Sequence, residues 1–309
     1  DVRGASDGPA EDSAGRDKEV PTLALPSLAH FFRRVWDEHD EEERAHHAYQ
    51  ARVDYCGLLV LSTLYGLTAW AVAPDAPAPE APGTIFAAQF VLTALALHNL
   101  YMELFVIVKV VKADKNTFLV GKGPLGRWIW MTHQIINVQA VHFAFSLLAP
   151  LLSRRLVLGT YRLSLLLGGV GAFVTSQFFF LVYPTAAFDE ECRIWAPRVP
   201  QYRLIQSYLH FPQMLLAVCD VCLLKQRSTL LLASPSALTI LLVYACYTAT
   251  YLSAVVANRL HTGCWPYGLL EGLGWSMVRW MQFAVVQGSV LAAFSLGLKG
   301  VTHCTWAAW

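Results

Sequence analysis

The chain has 309 residues, of which 55% are hydrophobic and 15% are charged. A soluble globular domain carries about 25% charged residues, so this composition excludes an ordinary soluble protein. The formal net charge of +1, without a basic face that stands out, excludes nucleic acid as the main partner.

The first 26 residues form a polar segment that is rich in Asp, Gly, Ser, Ala and Pro. Such a segment cannot bury enough apolar area to offset the entropy of ordering it. We therefore predict an extended tail over residues 1–26 that needs a partner surface to become ordered. The chain begins at Asp1 and shows no apolar signal-peptide core, so we expect that a targeting peptide has been removed.

The residue pattern over 27–50 predicts a helix outside the membrane. Ser27 is a suitable N-cap, and charged residues dominate from Asp37 to Arg44. Apolar residues follow the cap at helical spacing, namely Leu28, Phe31, Phe32 and Val35.

Seven apolar blocks follow, each long enough to cross a bilayer, which requires about 20 apolar residues. The Pro-rich stretch Pro74–Gly83 cannot continue a helix and separates the first two blocks. The predicted spans are 51–73, 84–111, 127–152, 161–184, 203–224, 237–258 and 273–298. The sequence therefore predicts an all-α fold, a polytopic membrane helix bundle over residues 51–298, with a short C-terminal tail at 299–309.

Basic residues near the span ends predict the orientation of the bundle, because cytoplasmic or matrix loops carry an excess of Lys and Arg. Most of these residues collect on the side of the N-terminus. The opposite side carries fewer, namely Arg154, Arg155, Arg162, Lys225, Arg227 and Lys299. We therefore expect the N-terminus on the matrix, cytosolic or stromal side and the C-terminus opposite.

The third and fifth predicted spans contain polar residues that are costly in lipid. Thr132 lies just over one turn into the third span, and His210 lies about two turns into the fifth, which runs in the same direction. Both side chains should lie roughly 7–10 Å below the same surface. A neutral histidine can remove the proton of a threonine hydroxyl and make it a nucleophile. The alternative is that Thr132 bonds to its own helix and His210 to a neighbouring carbonyl.

Two stretches resemble motifs of the androgen-induced membrane protein family. The segment Gly126–Thr132 (GRWIWMT) is similar to the family's Gly-Gly-x-Trp-Lys-Phe-Leu-Thr stretch. The segment His261–Glu271 (HTGCWPYGLLE) is similar to its Thr-Gly-x-Trp-x-Tyr-Pro-x-Leu-Glu loop before the last helix. A weaker likeness is His210 followed by Asp220. The resemblance covers roughly residues 84–298, so the first span would be an addition.

The resemblance implies a threonine-dependent hydrolase of fatty-acid esters of hydroxy fatty acids, with Thr132 as the nucleophile and His210 as its base. Three positions depart from the family pattern: Ile135 replaces an acid or amide, Ser207 a histidine and Ile129 a lysine. The loss of a polar side chain about one turn from Thr132 removes an orienting hydrogen bond. This departure favours a non-catalytic role on the same scaffold.

Three other patterns are better explained without a bound group. Glu43 and His46 have the spacing of di-iron ligands, but the second copy that such sites need is missing. The Cys219–Cys222 pair has redox spacing inside an apolar span, where core packing is favoured. A haem would require that folding bring together His98, His142 and His210. We therefore predict no metal and no cofactor.

Two functions remain open from the sequence. The first is an accessory, structural subunit of a large organellar complex, most simply in the mitochondrial inner membrane, with membrane lipids and other membrane subunits as partners. The polar tail, the added first span and Ile135 favour it. The second is an intramembrane lipid-ester hydrolase that uses Thr132 and His210, with the endoplasmic reticulum as an alternative location.

Overall fold

The computed structural model describes residues 40–75, 83–106, 115–197, 199 and 201–304. The predicted tail at 1–26, the Ser27 cap and the apolar stripe after it lie outside these residues. So does the end of the predicted C-terminal tail, although residues 299–304 continue the last helix rather than leaving it.

Ten α-helices and several short irregular helical turns make up the described part of the chain, in which no β-strand occurs. The α-helices are α1 Glu41–Val72, α2 Gly83–Tyr101, α3 Lys115–Val120, α4 Met131–Leu152, α5 Arg154–Gln177, α6 Ala186–Trp195, α7 Tyr202–Cys219, α8 Arg227–Ala233, α9 Ala237–Thr262 and α10 Met277–Cys304. A π-helical turn extends α2 (Met102–Val106), α5 (Phe178–Val182) and α7 (Asp220–Leu224), and 3₁₀ turns lie at Gly126–Ile129 and Gly268–Leu273.

Seven of these helices are long and apolar enough to cross a membrane: α1, α2, α4, α5, α7, α9 and α10. Each corresponds to one of the seven predicted spans. The prediction of an all-α polytopic membrane bundle with seven spans is therefore confirmed.

Helix α1 begins at a complete capping box. The Asp40 carboxylate accepts from the backbone N–H of Glu43 at 2.9 Å, and the Glu43 carboxylate accepts from the backbone N–H of Asp40 at 3.3 Å. From there the helix runs without a break to Val72, so no loop separates the charged segment before residue 50 from the first span. Glu43 thus serves as a cap residue.

Only Ser153 separates α4 from α5, so the fourth span begins at Arg154 and not at residue 161 as predicted. The charges at its start have partners in the bundle. The Arg155 Nε donates to the Trp70 carbonyl at 3.0 Å, and Arg162 donates to the Val72 carbonyl at 3.3 Å. These arginines satisfy carbonyls at the end of α1 that have no partner within their own helix.

Helix α5 lies at the centre of the bundle, where it packs against α1, α4, α7 and α10. Small residues allow its close contacts. A Cβ atom added at Gly159 would lie 1.8 Å from the Ala69 carbonyl oxygen of α1, and one at Gly171 would lie 2.5 Å from the Gln213 carbonyl oxygen of α7. The backbones therefore meet at distances that only glycine permits.

Gly159→Ala is expected to destabilise the protein by about 1–3 kcal/mol, because the new methyl group must push α1 away from α5. The matched control is Gly297→Ala in α10, where an added Cβ meets nothing within 4 Å. This control should be more stable than the parent by up to about 1 kcal/mol, since alanine favours helix. Thermal unfolding in detergent measures both, and equal shifts for the two variants would contradict the packing described here.

Candidate active site

Thr132 lies in the first turn of α4, directly after the 3₁₀ turn Gly126–Ile129 and the extended N-cap residue Trp130. Gly126 has a φ of +52°, and a Cβ there would lie 2.6 Å from the Gln50 Oε1 atom. The turn into α4 thus requires glycine at its start. It leaves the Thr132 side chain half-buried at the N-terminal end of the helix.

The hydroxyl of Thr132 meets the imidazole of His210, which lies in α7. The Thr132 Oγ1 atom is 2.9 Å from the His210 Nε2 atom, and the His210 Nδ1 atom is 2.7 Å from the Gln206 carbonyl oxygen. Because a carbonyl oxygen only accepts, Nδ1 carries the proton and Nε2 accepts from the threonine hydroxyl. This is the arrangement of a nucleophile and its general base.

His210 makes both of the contacts considered from the sequence: it bonds to a carbonyl and it pairs with Thr132. One ring nitrogen bonds to a carbonyl, and the other faces the hydroxyl. The ring also stacks on Phe178, with 3.7 Å between centroids and 12° between planes. These contacts fix both the tautomer and the orientation of the imidazole.

The backbone of α7 is irregular around His210. Pro212 has no N–H, so the carbonyl of Tyr208 is left for the Asn99 side chain, which donates to it at 3.2 Å. Two residues after Tyr208, the His210 carbonyl accepts from the Thr175 hydroxyl at 2.6 Å. The same hydroxyl accepts from the Met214 N–H at 3.2 Å. Side chains of α2 and α5 thereby hold the helix segment that carries the base.

A buried ionic cluster anchors the segment just before Thr132. The Arg127 guanidinium binds the Asp54 carboxylate of α1 and donates to the Glu103 carbonyl at 3.1 Å. His133 lies between the two acids, with Nε2 3.2 Å from Asp54 Oδ1 and Nδ1 3.1 Å from Glu103 Oε1. All four side chains are less than 5% exposed. Two carboxylates thus share one guanidinium and one imidazole in the interior of the bundle.

Sequence analysis did not find this cluster, since Asp54 and Arg127 are 73 residues apart. Arg127 is the first residue of the predicted span 127–152, a position typical of an exposed loop charge, whereas this side chain is 4% exposed. The available signal was the presence of an acid inside the second span, because a carboxylate at that depth needs a partner.

The two segments that resemble family motifs lie against each other. The Trp130 Nε1 donates to the Pro266 carbonyl at 3.2 Å, and the Met131 N–H donates to the Tyr267 hydroxyl oxygen at 2.8 Å. Burial raises the pKa of the Tyr267 hydroxyl, so this group is neutral at physiological pH. The loop before α10 therefore closes over the start of α4, next to Thr132.

The departure at Ile135 has a packing explanation. This side chain is 2% exposed and belongs to an apolar cluster with Phe173, Val174 and Tyr244. No polar side chain stands there, but the Gln206 carbonyl orients the imidazole instead. The imidazole is thus oriented by the backbone of α7 and not by a side chain at position 135.

Asp220 does not contribute to the Thr132–His210 pair. Its Oδ2 atom is 2.8 Å from the Nε2 atom of His142, whose Nδ1 atom is 2.5 Å from the Tyr65 hydroxyl. The Lys225 ammonium lies 3.4 Å from the other Asp220 oxygen. This second buried ionic cluster joins α1, α4 and the end of α7.

The remaining sequence patterns are separated by the fold. Each of the three span histidines has its own partner: His98 bonds to the Tyr208 hydroxyl at 2.7 Å, His142 to Asp220 and His210 to Thr132. Cys219 and Cys222 are both free thiols. None of these contacts assembles a haem or redox site from the residues that suggested one.

Comparison with known proteins found no matching family model, no matching curated protein and no matching solved structure.

Arg127→Met is expected to destabilise the protein by about 3–5 kcal/mol, because Asp54 is left as a buried carboxylate without its guanidinium. Adding Asp54→Leu should restore much of this loss, since the buried carboxylate that Arg127 neutralised is then absent as well. Unfolding of both variants in mixed micelles provides the measurement. A double variant no more stable than the single one would show that the two side chains are not coupled.

Proposed function

We propose that this protein is an intramembrane hydrolase of lipid esters, with Thr132 as the nucleophile and His210 as the general base. The observation that carries the proposal is the 2.9 Å contact between Thr132 Oγ1 and His210 Nε2, with the other ring nitrogen held by the Gln206 carbonyl. With the Nδ1 proton bonded to this carbonyl, Nε2 keeps the lone pair that a general base needs to take the threonine proton.

In the first half of the reaction, Oγ1 attacks the ester carbonyl carbon while His210 Nε2 takes the hydroxyl proton. The tetrahedral intermediate collapses, the bond to the alcohol oxygen breaks, and the imidazolium returns the proton to the leaving alcohol. An acyl-threonine remains. In the second half, His210 takes a proton from water, the resulting hydroxide attacks the acyl carbon, and the fatty acid leaves as Oγ1 regains a proton.

The N-terminus of α4 supplies electrostatic stabilisation for the negative oxygen of the intermediate. Thr132 and His133 lie in the first turn, where backbone N–H groups have no acceptor within the helix. These groups and the positive end of the helix dipole lie at the nucleophile itself. The Met131 N–H is bonded to Tyr267, so it contributes by fixing the turn.

The substrate class follows from the location of the pair and from the family resemblance. Both residues lie within apolar spans, where an ester linking acyl chains can be held among hydrocarbon. The resemblance of GRWIWMT and HTGCWPYGLLE to family motifs supports fatty-acid esters of hydroxy fatty acids as the substrates.

The second candidate function is an accessory subunit of a large complex in the mitochondrial inner membrane. It is supported by α1 and α10, the least buried of the seven spans, which leave apolar faces that other membrane subunits or lipids can cover. In this candidate the N-terminus lies on the matrix side. The endoplasmic reticulum is the alternative location for the hydrolase.

Thr132→Ala should lower the rate of hydrolysis of a branched fatty ester by about 100-fold or more, because the nucleophile is removed. Thr132→Ser should retain activity, since it keeps the hydroxyl. The matched control is Thr248→Ala, a buried threonine in α9 whose hydroxyl has no hydrogen-bond partner among the described residues. Rates are measured on purified protein in detergent. Hydrolysis by Thr132→Ala at the parent rate would remove the proposal.

If the accessory role is correct, gentle detergent extraction and native electrophoresis should show the chain in a species far larger than its own 34.3 kDa. The hydrolase alone requires no such assembly. Migration only as a small species, after extraction from its native membrane, would count against the accessory role and leave the catalytic proposal unaffected.

A further inference from the structure

A cavity of about 290 Å³ lies at the end of α7, away from the Thr132–His210 pair. Its lining includes Val221 and Leu223 from the π-helical turn, Lys225 and Arg227 from the following segment, and Thr302 from α10. Val221 is eleven residues beyond His210, which corresponds to about 16 Å along the helix. The cavity therefore belongs to the opposite end of the bundle.

The two cations in this cavity differ in how they are balanced. Lys225 lies 3.4 Å from Asp220 and donates to the Ser146 hydroxyl at 3.2 Å, so its charge is neutralised within the second ionic cluster. Arg227 donates to the carbonyls of Thr302 at 3.1 Å and His303 at 2.9 Å. Within the described part of the chain, no carboxylate lies within ion-pair distance of Arg227.

Arg227 has donors beyond those two bonds. Its Nε and Nη2 atoms hold the carbonyls at the end of α10, whereas a guanidinium offers five N–H groups. Arg227 lines the cavity, and paired guanidinium N–H groups match the geometry of a phosphate. The cavity is thus lined by a guanidinium that has N–H groups beyond its two carbonyl bonds and no carboxylate partner among the described residues.

The surroundings of the cavity are those of a lipid headgroup site. It lies where the candidate spans α7 and α10 end, and phospholipid headgroups surround the ends of membrane-spanning helices. Leu223, on its wall, is 67% exposed and turns an apolar surface outward beside the cation. A phospholipid whose phosphate lies in the cavity would therefore have its acyl chains alongside a hydrophobic helix face.

We propose that this cavity binds the headgroup phosphate of an anionic glycerophospholipid, with Arg227 as the principal phosphate ligand and Leu223 in contact with an acyl chain. The site is independent of the proposed hydrolase activity, since it shares no residue with the Thr132–His210 pair.

The test is a titration of purified protein in detergent with phosphatidylglycerol, followed by native mass spectrometry. The Arg227→Gln variant should bind this lipid about five- to tenfold more weakly than the parent. The matched control is Arg155→Gln. Arg155 also donates to a carbonyl at a helix end on the same membrane face, but it lies outside the cavity. The Arg155→Gln variant should bind phosphatidylglycerol as tightly as the parent does.

Arg227→Lys provides a second variant that keeps the charge but loses the planar donors, and its affinity should lie between those of the parent and Arg227→Gln. Phosphatidylcholine, which has no net charge, should bind the parent more weakly than phosphatidylglycerol. Equal weakening by Arg155→Gln would show a general charge effect and overturn the proposal. Unchanged binding by Arg227→Gln would also overturn the proposal. Displacement of the lipid by inorganic phosphate would overturn it as well, because phosphate alone would then be the ligand.

Discussion

The interior of a membrane bundle contains no bulk water, so buried charged groups depend on partners within the protein. This constraint explains where the residues of the candidate site lie. The ion pair of Arg127 with Asp54 fixes the turn that starts α4, and His133 extends the cluster to Glu103. Because Thr132 stands between Arg127 and His133 in the chain, the position of its hydroxyl depends on this cluster. Helix α1 supplies Asp54, so the first span is part of the support of the site.

The other half of the site depends on interruptions of α7. A regular helix uses its carbonyls internally, but Pro212 releases the carbonyl of Tyr208, and the hydroxyl of Thr175 enters the ladder at His210. These contacts tie α7 to α2 and α5 on both sides of the imidazole. The His210 ring is then oriented by a backbone carbonyl and by stacking on Phe178. The imidazole is thus oriented without an acid or amide side chain beside Thr132.

Hydropathy and helix periodicity were sufficient to predict the seven spans, because lipid imposes a strong and local requirement on composition. Depth along two parallel spans was sufficient to suggest that Thr132 and His210 could meet. The ionic clusters could not be predicted in the same way, since their members come from distant parts of the sequence. Arg127 and Lys225 resemble ordinary loop charges in the sequence, yet both are less than 10% exposed. The contact of the Gln206 carbonyl with His210 could not be predicted either, because every residue has a carbonyl and only the fold determines which one lies next to the imidazole.

The most direct measurement is the site of covalent labelling by a lipid-like fluorophosphonate, in which a hydroxyl activated by a base displaces fluoride and forms a phosphonate ester. Peptide mapping by mass spectrometry should place the adduct on Thr132 in the parent protein, with no adduct there in His210→Gln. Labelling of other hydroxyls with Thr132 unmodified, or equal labelling with and without the imidazole, would contradict the assignment of the pair as nucleophile and base.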